Sequence, residues 1–261
     1  MKPSLPFMTV PGTTDMMVRA ADQFDAVRLA ANGGVFGAGL TAMTVTSAPP
    51  ERLLVDLSVI PALRGISVES GWMRIGALTT LEHLRQDAAV ALHLPELVGL
   101  LPFVASVQVR NRGTLGGNIA WRNGDLVPVL TARGARLCGP ALDVAIEDYK
   151  GGLIGEIVVP VSGDVGMAEK IGHRAAFSPS LVTVAATVGV AWGRIETCRI
   201  AIGGGEPVLR LVGAEASLAG ATPSSIDWQD MRARIMDEAG HGHRGRVAAG
   251  VLAHLLAEKL A

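Results

Sequence analysis

The clearest hydrophobic pattern of the chain lies in its last third. In residues 246–260 the valines and leucines recur at the spacing of one helix face, which predicts an amphipathic helix. Residues 181–190 are rich in β-branched side chains, and residues 195–202 alternate apolar with polar positions. Two such runs with a short connection predict an antiparallel pair of strands.

The remaining pattern is a mixture of short helical and short extended segments. Helices are predicted at residues 22–31, 79–87, 95–104, 126–132, 211–218 and 226–238, and strands at 53–57, 66–69, 72–78, 143–146 and 157–161. Glycine-rich residues 35–43 and 203–205 predict turns, and residues 109–118 predict a structured loop without helical period.

The order of these elements predicts the fold class. Strands and helices do not alternate strictly, as they would in a doubly wound parallel sheet, so an α+β fold is expected. The small-residue stretch at 162–166 predicts a boundary between a first domain of residues 1–163 and a second of residues 164–261.

Composition narrows the function classes. The 23 basic and 24 acidic residues leave no basic footprint for a nucleic-acid binder. The sequence offers no apolar run long enough for a membrane span and no secretory signal, so a cytoplasmic protein is expected. Two cysteines, Cys138 and Cys198, cannot supply the four ligands of an iron–sulfur cluster. Glycine is abundant, at 32 of 261 residues, which indicates tight turns or backbone lying close to a ligand.

Two glycine-rich runs are the candidates for chemistry. Residues 114–118, TLGGN, pair a hydroxyl with small residues that let backbone N–H groups surround phosphate oxygens, and the flanking Arg110 and Arg112 would add positive charge. The run Gly37-Ala38-Gly39 is a second candidate of this kind. Taken alone, each run is more often an ordinary turn. No GxSxG motif or metal-ligand cluster supports a hydrolase or metalloenzyme.

The wider context of these runs resembles a known family. Residues 105–118, ASVQVRNRGTLGGN, resemble the characteristic segment of the FAD-binding medium subunits of molybdenum hydroxylases, the xanthine dehydrogenase and carbon monoxide dehydrogenase group. Further segments occur in the same order and spacing as in that family, and together the resemblance covers nearly the whole chain. These segments are residues 54–57 with Leu63, 74–80, 169–174, 200–205 and 215–220.

The resemblance implies a fold and partners. It implies a two-part FAD-binding domain of the vanillyl-alcohol-oxidase type, followed by a small domain of an antiparallel sheet and helices. FAD would be bound non-covalently. Electrons would come from an iron–sulfur small subunit with 2Fe–2S clusters, which is fed by a molybdopterin large subunit, in a dimer of heterotrimers. The flavin would then reduce NAD, oxygen or a quinone.

The resemblance also implies site residues. The hydroxyl of Thr114 and the backbone of Leu115, Gly116 and Gly117 would hold the FAD pyrophosphate. Val104 falls on the adenine side, Asp125 matches an acidic residue that fixes the cofactor, and Lys170 would lie near the isoalloxazine. The complete set of expected cofactor-binding residues is Phe36, Gly37, Ala38, Gly39, Leu40, Thr41, Val104, Thr114, Leu115, Gly116, Gly117, Asn118, Asp125 and Lys170.

Departures from the family pattern support a second hypothesis about the function of the chain. Leu40 stands where members carry Gly or Asn, residues that tolerate a positive φ, and leucine there costs on the order of 1 kcal/mol or more. The segment 119–124 is shorter than usual and contains the bulky Trp121. These changes support a non-catalytic scaffold subunit with weak or lost FAD binding. A nucleotide-binding regulator is a third reading, supported by the glycine runs alone.

Overall fold

The structure is a computed structural model that describes residues 17–41, 52–121, 123–174 and 178–261. Within these ranges the strands form three sheets. The first is a small parallel sheet with the order β1-β3-β2, made of β1 (Met17–Arg19), β2 (Val35–Gly37) and β3 (Leu54–Asp56). It packs with α1 (Gln23–Ala30), which Asp22 caps by accepting a hydrogen bond from the N–H of Asp25 at 2.8 Å.

The second sheet is antiparallel and has the order β4-β5-β8-β6-β7. Its strands are β4 (Ile66–Glu69), β5 (Trp72–Gly76), β6 (Arg136–Gly139), β7 (Leu142–Ala145) and β8 (Glu156–Pro160). The helices between β5 and β6 are α2 (Leu81–Gln86), α3 (Ala88–His93), α4 (Pro95–Leu100), α5 (Val107–Arg110), α6 (Leu115–Ala120) and α7 (Val127–Ala132). Leucines and valines from these helices and this sheet form one buried core.

The third sheet is antiparallel, with the order β12-β11-β10-β9. It contains β9 (Val165–Gly172), β10 (Ser180–Ala191), β11 (Arg194–Gly203) and β12 (Leu209–Arg210). One face is covered by α8 (Val212–Leu218), α9 (Trp228–Ala239) and α10 (His243–Leu260).

Strand β10 joins the two larger cores because both of its faces are buried. Val182, Val184 and Val188 point toward the C-terminal helices, while Ala185 packs into the core of the second sheet. This is the period-two alternation of a strand between two apolar layers. The third sheet is therefore held against the rest of the molecule, and the α+β prediction is confirmed.

Several predicted elements need correction. Residues 35–43 are not one turn, since Val35–Gly37 is strand β2 in parallel pairing with β3, and the end of that range lies outside the described residues. The predicted loop at 109–118 is wrong, because α5 and α6 occupy much of it. The helix predicted at 95–104 ends at Leu100 and continues as a short 3-10 turn. Helix α3 and strands β1, β6 and β9 are not among the predicted elements.

None of the described helices is long and apolar enough to cross a membrane.

Candidate functional site

A cavity of about 1070 Å³ lies where the parallel sheet, helix α6 and the start of β10 meet. Its volume is slightly above the range of about 300–1,000 Å³ typical of small-molecule sites. Most of the residues expected to bind a cofactor line it, whereas Gly37, Leu115 and Lys170 do not. The lining residues from that set are Phe36, Ala38, Gly39, Leu40, Thr41, Val104, Thr114, Gly116, Gly117, Asn118 and Asp125.

The first glycine loop leaves strand β2 at Gly37 and runs along the cavity. An added Cβ at Gly39 would overlap the carbonyl oxygen of Arg112, so glycine lets this loop touch the backbone that precedes α6. Leu40 has φ +57°, the left-handed conformation expected from its position in the sequence pattern. The first loop therefore keeps its contact with the second loop although Leu40 has a backbone conformation that is unfavourable for leucine.

The first loop also presents open hydrogen-bond donors. The backbone N–H groups of Ala38, Gly39 and Leu40 make no hydrogen bond to any described residue. Successive unpaired N–H groups that line a cavity are suited to anionic oxygens. This is the feature of the structure that fits the phosphate part of a nucleotide cofactor.

The second glycine loop is the start of helix α6. The Thr114 Oγ1 accepts a hydrogen bond from the N–H of Gly117 at 3.1 Å and caps the helix. The N–H groups of Leu115 and Gly116 donate to the carbonyls of Thr79 and Ala77, at 3.0 and 2.9 Å. These backbone donors are thus engaged within the protein, which differs from their expected role as the pyrophosphate cradle. Thr114 keeps a hydroxyl proton for the cavity.

Arg110 does not contribute positive charge to the cavity, contrary to the sequence-based expectation. Its side chain is buried and donates to the Glu82 carboxylate at 2.8 Å and to the carbonyls of Val104 and Ala105 at 3.1 and 3.0 Å. Hydrogen bonds from Arg85 and then from Arg110 lower the pKa of Glu82 to about 2. The pair instead secures the turn at Val104 and Ala105, which forms part of the cavity wall and has φ +52° at Ala105.

Asp125 supplies a carboxylate to the lining of the cavity. Its Oδ1 accepts hydrogen bonds from the hydroxyls of Ser180 and Thr183, and its Oδ2 has no hydrogen-bond partner among the described residues. Burial raises the pKa of Asp125, against the opposing effects of Ser180, Lys170 and Thr183. Lys170 itself lies on β9, where its Nζ donates to the carbonyl of Ser178 at 2.8 Å. It is not part of the cavity lining and acts on Asp125 through its charge.

One wall of the cavity consists of residues outside the two glycine-rich motifs. Tyr149, Leu153 and Ile154 line it from the connection between β7 and β8, and Ser180 and Gly205 line it from the third sheet. The Tyr149 hydroxyl donates to the carbonyl of Gly152 at 2.8 Å. Tyr149 is the single tyrosine of the chain. Its rarity is the one signal in the sequence, because no local motif accompanies it.

The chain matches the family model described as "FAD binding domain in molybdopterin dehydrogenase" over residues 8–147. Among curated relatives, it is 43% identical to the carbon monoxide dehydrogenase medium chain of Hydrogenophaga pseudoflava over 81 residues, which cover 31% of this chain and 28% of that protein. It is 30% identical to the nicotine 6-hydroxylase medium subunit of Paenarthrobacter nicotinovorans over 220 residues, which cover 77% of this chain and 75% of that protein.

The fold is similar to a solved structure of the same kind. A chain in the crystal structure of cyanide-inactivated Cu,Mo-CO dehydrogenase superimposes with a TM-score of 0.82 at 26% identity, covering 97% of this chain and 100% of that chain. The likeness extends through the third sheet and its helices, beyond the residues that the family model matches.

Proposed function

This chain belongs to the family of FAD-binding domains in molybdopterin dehydrogenases, and we propose that it is the flavoprotein subunit of a molybdenum-containing hydroxylase. In this role it takes electrons from a partner iron–sulfur subunit and passes them through non-covalently bound FAD to an external acceptor. The observation that carries the proposal is the cavity of about 1070 Å³ where the two glycine loops touch at Gly39 and Arg112.

The residues present fit FAD by the chemistry of their donors and walls. The open N–H groups of Ala38, Gly39 and Leu40, with the hydroxyl of Thr114, would hold the phosphates. The Oδ2 of Asp125 would accept a hydrogen bond from a ring N–H. Bound FAD supplies the ability to accept electrons singly and deliver them in pairs. Apolar walls that include Phe36 keep water from the rings and orient them.

The wider proposal concerns organisation and partners. We place the FAD-binding domain at residues 1–163 and the C-terminal flavoprotein domain at residues 164–261, since β9 starts at Val165 and belongs to the third sheet. The chain would work in the cytoplasm with an iron–sulfur small subunit and a molybdopterin large subunit, in a dimer of heterotrimers. It would be inactive alone on the organic substrate, because the substrate-oxidising centre lies in the large subunit.

Flavin content tests the proposal directly. The chain is purified with its co-purifying partners, its visible spectrum is recorded, and the cofactor is extracted and quantified. Stoichiometric FAD is the expected result. A colourless preparation that takes up no added FAD would overturn the proposal and leave the non-catalytic scaffold as the better reading.

A further inference from the structure

Trp121 exposes a large apolar side chain at the cavity. It follows the last residue of α6, and its backbone N–H donates to the carbonyl of Gly117 at 3.1 Å. The residue is 45% exposed, and it lines the cavity. Trp192, by contrast, is 97% exposed and has no place in that lining. An indole carries on the order of 150–250 Å² of surface, so a ligand in the cavity would gain contact area by covering Trp121.

The position of Trp121 on the helix sets its distance from the phosphate end of the cavity. Thr114 caps α6 and Trp121 follows seven residues later, on the order of 10 Å along the helix axis at about 1.5 Å per residue. A dinucleotide whose phosphates lie near Thr114 is long enough to reach Trp121 with one of its two ring systems, and both residues line the same cavity. The backbone of Trp121 is helical, with φ −63° and ψ −16°, and this places the residue on a regular element.

The polar groups that follow Trp121 in the chain indicate which ring would lie there. Asn123 and Asp125 come two and four residues after Trp121 and line the same cavity, and the Ser180 hydroxyl donates to the Asp125 carboxylate. The wall formed by Val104, Ala105 and Val109 is apolar. The pyrimidine edge of an isoalloxazine carries both N–H and C=O groups that need partners, so the polar end suits it.

From these observations we propose that the indole of Trp121 packs against the isoalloxazine ring of bound FAD and positions it. This inference rests on the proposed function. Trp121 is bulkier than the residues usual at this place in the family. In this proposal its side chain contacts the cofactor and does not block it. Aromatic contact of this kind is worth roughly tenfold in affinity when the side chain is removed.

Flavin fluorescence tests the contact without relying on catalysis. A tryptophan in contact with an isoalloxazine quenches its emission by donating an electron, and phenylalanine keeps an aromatic ring but donates poorly. The full-length chain is loaded with FAD, and Trp121→Phe should raise flavin emission and lifetime several-fold with the flavin still bound. Trp121→Ala should in addition weaken FAD binding about tenfold. Trp192→Phe is the matched control and should change neither quantity.

Two further measurements test which ring of the cofactor contacts Trp121. FMN, which has the isoalloxazine but no adenine, should show the same Trp121-dependent quenching, whereas ADP affinity should not depend on Trp121. Because Tyr149 lines the same cavity, Tyr149→Phe shows how much quenching it contributes. If wild type binds no flavin, the proposed function fails. If flavin binds and its emission is unchanged in Trp121→Phe, or if ADP affinity depends on Trp121, this inference fails and the function stands.

Discussion

At the scale of single residues, two glycines of the candidate site have different physical reasons to be glycine. At Gly39 an added Cβ would overlap the carbonyl oxygen of Arg112, so the contact between the two loops depends on the missing side chain. At Gly117 an added Cβ would meet the Oγ1 of Thr114 at 3.0 Å and nothing else within 4 Å. Gly39 therefore serves the fold, and Gly117 leaves space in the cavity.

This difference predicts two separable phenotypes. Gly39→Ala should lower the free energy of unfolding of the flavin-free chain by about 1–3 kcal/mol, because backbone must move to admit the methyl group. Gly117→Val should abolish flavin retention, since a branched side chain would fill the phosphate end of the cavity, and its cost in stability should be smaller than that of Gly39→Ala because its close contact is a side-chain hydroxyl, that of Thr114, and not backbone. Denaturant unfolding and flavin extraction measure the two effects.

Gly250 in helix α10 provides the control for both variants. An added Cβ there meets nothing within 4 Å, so Gly250→Ala should be neutral or stabilising by up to about 1 kcal/mol, with full flavin content. Full flavin content in Gly117→Val would show that the phosphates do not approach this loop.

At the scale of elements, the sequence predicted best where the hydrophobic pattern was long. Strands β10 and β11 and helix α10 lie close to their predicted positions. The sequence predicts a loop where helix α6 lies, because glycines argue against a helix. Thr114 is a residue type that commonly caps a helix. The carbonyls that accept hydrogen bonds from the first turn of α6 belong to Thr79 and Ala77, which lie far away in the sequence. These tertiary hydrogen bonds stabilise the helical conformation.

The residues of the candidate site also fall into two groups, those that the sequence predicts and those that it does not. Residues of the two glycine loops could be named from local motifs, and the structure brings most of them to one cavity. The wall at Tyr149 and the polar group of Ser180 could not be predicted from local motifs, because only tertiary packing brings them to the cavity. Tyr149 comes from the connection between β7 and β8, and Ser180 from the first position of β10. Strand β9 could not be predicted for a related reason, since its mixed polar sequence takes its register from β10.

The link between helices α2 and α5 predicts a pH dependence. Glu82 has its pKa lowered from 4.5 to about 2 by Arg85 and Arg110, so its ionised form favours the folded state. This contribution is fully present above pH 4.5 and is lost as the pH falls toward 2. Glu82→Gln should therefore be less stable at neutral pH and lose less of its thermal midpoint on acidification. Thermal unfolding from pH 6 to pH 3 compares the two slopes, and equal slopes would contradict this role of Glu82.

At the scale of the whole molecule, a buried ion pair connects the helical layer with the third sheet. Arg133, which follows the last residue of α7, donates to both oxygens of Glu96 in α4, at 2.6 and 2.8 Å, and to the carbonyl of Asp164 before β9, at 3.3 Å. The two side chains are 3% and 4% exposed. An added Cβ at Gly166 of β9 would overlap this pair. The backbone of β9 therefore packs directly against the two charged side chains.

A buried pair of this kind costs most when only one partner is removed. Arg133→Met should destabilise the chain by about 3–5 kcal/mol, because Glu96 is left charged and buried. The double variant Glu96→Leu with Arg133→Met should recover most of this loss, since apolar side chains of similar size often replace buried ion pairs at little cost. Urea unfolding of both variants and wild type measures the difference. Equal destabilisation of the single and double variants would mean that the pair acts through its bond to the carbonyl of Asp164, and that this bond holds the third sheet in place.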